Sequence, residues 1–319
     1  MDDSVTIVLE SRDLVSAVCG ANDGNLKALS RSLGGRVAVR GNEVRMDGLD
    51  ERGACRFRAV MDGLIHAVQE GDSPSPDYVA ALAGTSTEQK QAAGFREAHI
   101  AIPQGFTKIF PKSANQTEYI RVMRSNDICF AVGPAGTGKT YLAIASALSM
   151  VLSKKIRKLV LTRPVVESGE SLGFLPGDLE QKINPYLRPL YDAMESLIPY
   201  ELIRRLEESR HIEIAPLAYM RGRSFNDAFI ILDEAQNTTK EQMKMFLTRL
   251  GHGSRAVITG DITQIDLPKK VESGLASAVK ILNDIEGVGI SYLHTRDVVR
   301  NPLIKKIIEA YEHDKENNQ

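Results

Sequence analysis

Between residues 128 and 293 the chain repeats one pattern: a short, nearly continuous apolar run, a break of glycine or acid, then a longer stretch with apolar residues three and four apart. The runs at 128 to 132, 158 to 162, 229 to 233, 256 to 259 and 289 to 293 predict strands. Their lack of polar alternation suits a mostly parallel sheet covered on both faces. Helical spacing falls at 140 to 152, roughly 178 to 197, 239 to 250 and 274 to 282. Strands alternating with helices in this way predict a doubly wound α/β domain. Thr238-x-x-Glu241 reads as a capping box opening the third of these helices, with Met243, Phe246, Leu247 and Leu250 on its core face.

The amino-terminal pattern differs. Val5, Ile7 and Leu9 alternate with polar residues, as a half-buried strand requires. Asn22 or Asp23 is placed to cap a helix carrying Leu26, Leu29 and Leu33, which Gly34-Gly35 would stop. Two short strands, 36 to 40 and 43 to 46, join across Gly41-Asn42, and a last helix starts at Asp50 with Phe57, Val60, Met61, Leu64 and Val68 at helical spacing. The predicted order is β-α-β-β-α, a small α+β module over 1–70. From Gly71 the composition turns to Ser, Pro and Ala, so 71–98 reads as a linker and 99–319 as the α/β domain.

Composition narrows the possibilities. The 319 residues are 43% hydrophobic and 25% charged, with 40 basic against 41 acidic residues, so a nucleic-acid site must be a local patch. The basic run Lys154 to Lys158 follows a predicted helix, where cations suit the negative end. Cys19, Cys55 and Cys129 lie far apart in or beside apolar runs and are expected as buried thiols of a reducing compartment. The six histidines lack metal-ligand spacing. No stretch approaches 18 uninterrupted apolar residues, and the start has no signal-peptide pattern, so a cytoplasmic protein without a membrane partner is expected.

Chemistry concentrates where strands end. Gly133-Pro134-Ala135-Gly136-Thr137-Gly138-Lys139-Thr140 fits G-x-x-x-x-G-K-[ST] between a predicted strand and helix. Such a loop turns backbone N–H groups inward onto phosphates, Lys139 reaches the β- and γ-phosphates, and Thr140 ligates Mg²⁺. The strand ending in Asp233-Glu234 supplies two further carboxylates. Asp233 would hold Mg²⁺ through water, and Glu234 would polarise the attacking water. A third strand ends in Thr259-Gly260-Asp261-Ile262-Thr263-Gln264; if it lies between the other two, Gln264 faces the γ-phosphate. Capping of a following turn by Asp261 or Thr263 is the alternative there. GTP is disfavoured because no Asn-Lys-x-Asp element occurs, and a kinase because Glu234 would activate water.

Seven segments, Ser113 to Ile120, Thr162 to Pro164, Glu167 to Asp178, Asn184 to Tyr191, Tyr219 to Arg223, Leu232 to Asn237 and Thr259 to Gln264, resemble the PhoH-like proteins in composition and order. The resemblance implies a P-loop NTPase core similar to that of superfamily 1 helicases, in which Gln116 matches a glutamine that reads adenine. ATP and Mg²⁺ are then the implied ligands. It also implies a homo-oligomer, possible as a hexameric ring, in which Arg163, Arg221, Arg223 or Arg300 completes the site; Arg300, before Asn301-Pro302, is one candidate finger. The amino-terminal module looks KH-like, although Cys19 to Asn25 lacks Gly-x-x-Gly spacing. RNA remodelling by ATP hydrolysis is the implied function. The alternative is an ATP-dependent switch docked on an endoribonuclease of ribosomal RNA maturation, touching RNA only through it.

Overall fold

The computed structural model describes residues 4–69, 72–84, 98–103, 107–164, 179–268 and 270–298. Two compact units emerge: residues 1–99 with 110–117, and residues 100–109 with 118–319.

In the first unit, β1 (Ser4–Val8), β2 (Arg36–Arg40) and β3 (Glu43–Asp47) form an antiparallel sheet in the order β1-β3-β2. Alternation sends Val5, Val44 and Met46 into the core. The two-residue connection holds Gly41 at φ 65°, a left-handed conformation that glycine adopts without strain. One helix was not anticipated: α1 (Arg12–Cys19), capped by Ser11, whose hydroxyl accepts from the Leu14 amide at 3.1 Å. With only eight residues, it is too short for a clear apolar period. Asn22 and Asp23 do not cap α2 (Gly24–Leu33) through their side chains; both sit at positive φ in the turn before it. Gly34 ends α2 as expected. Asp50 caps α3 (Glu51–Gln69), accepting from the Gly53 amide at 2.7 Å. Within the stretch read as linker, α4 (Pro76–Gly84) buries Tyr78, Val79 and Leu82 in this same core. The observed order is therefore β-α-α-β-β-α-α. Cys19 is buried, but Cys55 is exposed, because it faces outward from α3 while Phe57, Val60 and Met61 take the core.

The second unit holds a hairpin, β4 (Ile100–Ile102) with β5 (Thr107–Ile109), and part of α5 (Ala114–Ser125). Its six-stranded sheet is all parallel. The strands are β6 (Ile128–Val132), β7 (Lys158–Arg163), β8 (Ile212–Pro216), β9 (Ala228–Leu232), β10 (Arg255–Gly260) and β11 (Val288–Tyr292), ordered β11-β6-β10-β9-β7-β8. The helices α6 (Lys139–Leu152), α9 (Lys240–Leu247) and α10 (Gly274–Leu282) each connect two strands, while α7 (Leu179–Glu195) and α8 (Tyr200–Glu208) both lie between β7 and β8. Phe130, Val160, Ile230 and Ile258 pack against Met243 and Phe246 of α9 and Leu275 of α10. Leu247 and Leu250 join that cluster half-buried.

Two details depart from expectation. β8 and α8 carry no strong apolar run of their own; β8 is an edge strand whose second residue, Glu213, is paired by Lys158 and Arg223. The capping box of α9 is Thr239 with Gln242, through contacts of 3.2 and 2.9 Å, and not Thr238 with Glu241. Thr238 is buried and donates its hydroxyl to the Ala235 carbonyl at 2.7 Å, so it is no longer free to cap. Among the described residues no helix is long and apolar enough to cross a membrane.

Candidate functional site

The glycine-rich loop joins β6 to α6. Gly136 and Gly138 take φ of 81° and 82°, where a side chain would be strained. Gly133 is constrained differently: a Cβ there would lie 2.3 Å from the Leu293 carbonyl oxygen, and its amide donates to Gly260 at 3.1 Å. Gly138 makes no side-chain cap at the start of α6, the end of a helix that suits an anion. Lys139 Nζ donates to the Gly133 and Pro134 carbonyls at 2.6 and 2.7 Å. Burial pulls its pKa down, while Asp261, Asp233 and Glu234 act in the opposite sense. Tyr119, fully buried, donates to the Lys139 carbonyl at 3.1 Å and braces that turn from behind.

Asp233 follows the last residue of β9, and its amide donates to the Thr162 carbonyl at 2.9 Å. Two hydroxyls, Thr140 from α6 and Thr259 from β10, donate to the same Asp233 Oδ1, each at 2.7 Å. β10 lies between β6 and β9, the order on which the expectation for Gln264 depended. Glu234 sits at φ 53° and turns away from Asp233. Its Oε1 accepts from Arg163 Nη2 at 2.8 Å and its Oε2 from Gln236 Nε2 at 2.6 Å. Gln236 Oε1 in turn accepts the Asp261 amide at 3.0 Å. Arg163 also donates to the Tyr186 carbonyl at 2.9 Å and lies 3.7 Å from Asp233 Oδ2. Asp261 Oδ1 accepts from the Thr263 amide and hydroxyl, whereas the buried Oδ2 has no partner.

A cavity of about 310 Å³ unites these groups. Ala135, Gly136, Gly138, Lys139, Thr140, Asp233, Glu234 and Gln264 all line it, so these sequence candidates share one site. Arg163 and Asp261 line it too. Thr140 and Asp233 are hard oxygen donors of the type Mg²⁺ takes alongside phosphate and water. Among the described residues no three His, Cys, Asp or Glu side chains gather where they could hold a metal ion.

Gln116 lies in the first turn of α5, buried, with Oε1 accepting the Lys112 amide at 2.6 Å. Arg223 does not reach the cavity; it pairs with Glu213 and stacks over Phe225 at 4.7 Å. Arg221 is exposed and does not line the cavity. Arg300 and the loop Glu167 to Asp178 lie outside the described residues. Sequence reasoning missed Thr259, Gln236 and the direct contact of Arg163 with Glu234. A polar residue ending a buried strand was the available signal for Thr259.

A family model described as PhoH-like protein matches residues 108–312. A PhoH-like protein of Mycobacterium tuberculosis is 51% identical over 94% of this chain and 85% of its own. One of Bacillus subtilis is 46% identical over 97% of both. Protein PhoH of Escherichia coli is 43% identical over 64% of this chain and 58% of its own.

Proposed function

The chain belongs to the PhoH-like protein family, with a P-loop NTPase-like second unit, and from that membership we propose that it binds ATP with Mg²⁺ and hydrolyses it. One observation carries the reading: hydroxyls from the phosphate-type loop helix and from β10 converge on one oxygen of Asp233 in a cavity that also holds Lys139 and Glu234. Residues 133 to 140 cradle the triphosphate, with Lys139 turning from the loop carbonyls to the β- and γ-phosphates. Thr140, and Asp233 through water, would hold Mg²⁺, which would supply positive charge against the phosphates. Glu234 accepts a proton from water as the water oxygen bonds to γ-phosphorus. The bond from γ-phosphorus to the bridging oxygen breaks, and the electron pair leaves on ADP. Gln264 orients the γ-phosphate, Gln116 reads adenine, and Arg300 of a neighbouring copy in a ring is the finger that the family resemblance suggests.

The work of hydrolysis is proposed to fall on RNA. A KH-like first unit is the supporting feature, since such modules hold single-stranded backbone at a glycine loop between two helices. Here Gly20 and Gly24 bracket the α1–α2 junction with three residues between them, one more than Gly-x-x-Gly. That departure favours a second reading, in which the unit docks on a partner such as an endoribonuclease of ribosomal RNA maturation. The test is ATP turnover by the purified chain with and without single-stranded RNA, in Mg²⁺ and after chelation. Turnover that needs Mg²⁺ and rises with RNA supports the motor reading. Turnover indifferent to RNA, with no RNA bound, selects the docked switch, and no turnover at all refutes the hydrolysis reading.

A further inference from the structure

A second cavity of about 540 Å³ lies on the other side of the Arg163–Glu234 ion pair. Arg163, Glu234 and Gln264 line both cavities, so this pair forms part of the wall between them. The far side is lined by Tyr186, Asn237, Thr263, Ile265 and Asp266. Among the described residues its lining offers amides and hydroxyls, with one cation, Arg163, against two carboxylates, Glu234 and Asp266. Such a lining solvates an anion in passage without retaining it, because a site that holds phosphate needs net positive charge.

On the hydrolysis reading, inorganic phosphate forms beside Glu234, next to the Arg163–Glu234 pair that lines both cavities, while ADP still occupies the first. That pair is suited to open. Glu234 is 39% exposed, so water can take the place of Arg163 at its carboxylate, whereas Arg163, 18% exposed, is the more buried partner. Arg163 is also tethered independently to the Tyr186 carbonyl, and Glu234 to Gln236, so each has a partner to fall back on.

We propose that the second cavity is the exit route of inorganic phosphate and that the Arg163–Glu234 pair is its gate. This rests on the hydrolysis reading above. The experiment follows one turnover of ATP by the full chain two ways: acid quenching reports cleavage, and a fluorescent phosphate-binding reporter records release. Ile265, 41% exposed and lining the second cavity alone, tolerates a larger ring, so Ile265→Trp narrows the route at a distance from the chemistry. Cleavage by Ile265→Trp is expected within about twofold of wild type while release slows about tenfold or more. In the wild type release is expected to lag behind cleavage, and a wild type without lag overturns the gate; in Arg163→Ala, where the gate is removed, release is expected to follow cleavage without lag even though cleavage itself slows. Release that keeps pace with cleavage in Ile265→Trp overturns the exit route and leaves hydrolysis standing. A lag that persists in Arg163→Ala overturns the gate. If the wild type cleaves no ATP, the hydrolysis reading itself has failed and takes this inference with it.

Discussion

Replacing Glu234 by Gln separates chemistry from binding at this site. The substitution keeps the size of the side chain and an oxygen for Arg163, which now donates at 2.8 Å, but removes the charge and the basic lone pair. Arg163 is not stranded by the change, because Asp233 Oδ2 lies 3.7 Å from its Nε and the Tyr186 carbonyl accepts from its Nη1. With Glu234 itself 39% exposed, the lost ion pair is screened and should cost no more than about 1 kcal/mol of stability. The catalytic loss should be far larger. A positioned base contributes about 10² to 10⁴ in rate, which is about 3 to 5 kcal/mol of barrier. Steady-state phosphate release, calorimetric titration with Mg²⁺-ATP, and a denaturant melt of the same preparation give the three quantities. The expected result is kcat lowered by at least about a hundredfold with Kd and melting nearly unchanged. A variant that turns over within about threefold of wild type refutes Glu234 as the base. A raised Kd with unaltered kcat would assign it to binding instead.

Two further predictions test the frame around the site. Gly133→Ala forces a Cβ to 2.3 Å from the Leu293 carbonyl oxygen, which is backbone and cannot rotate aside. Stability should fall by about 1 to 3 kcal/mol, and Mg²⁺-ATP affinity should fall with it; unchanged binding by calorimetry would show that the loop does not depend on this close approach. Glu213 is held at about 2, first by its hydrogen bonds from Arg223 and then by Lys158, with burial acting against them. A folded value below the ordinary 4.5 means that its stabilisation is complete above pH 4.5 and is lost as pH falls toward 2. Glu213→Gln should therefore lower stability by about 2 kcal/mol at neutral pH, with the gap between the two melts closing across that acid window; a gap unchanged near the lower end would show that ionic pairing is not its source.

Much of the architecture was legible because it is local. Apolar runs at 128 to 132, 158 to 162 and 229 to 233 are strands whatever their neighbours, and all three lie where their periodicity put them. Shorter or more polar elements were hidden. α1 spans two turns, and the apolar run of β8 is interrupted by Glu213, a half-buried carboxylate paired by Lys158 and Arg223 from other elements. The α9 cap moved by one residue because Thr238 already bonds to Ala235, a competition invisible in the spacing Thr238-x-x-Glu241.

For the site, the sequence by itself determined the loop Gly133 to Thr140 and the acidic strand end Asp233-Glu234, since glycine conformational freedom and strand termination are properties of contiguous residues. Only the tertiary structure decided that β10 runs between β6 and β9, and therefore that Thr259 joins Thr140 on one oxygen of Asp233. It alone brought Arg163 and Gln236 onto the two oxygens of Glu234 and divided the space there into two cavities. The physical reason is range. Periodicity and turn chemistry act over a few residues, whereas the order and register that align strand ends are set by packing of the whole sheet.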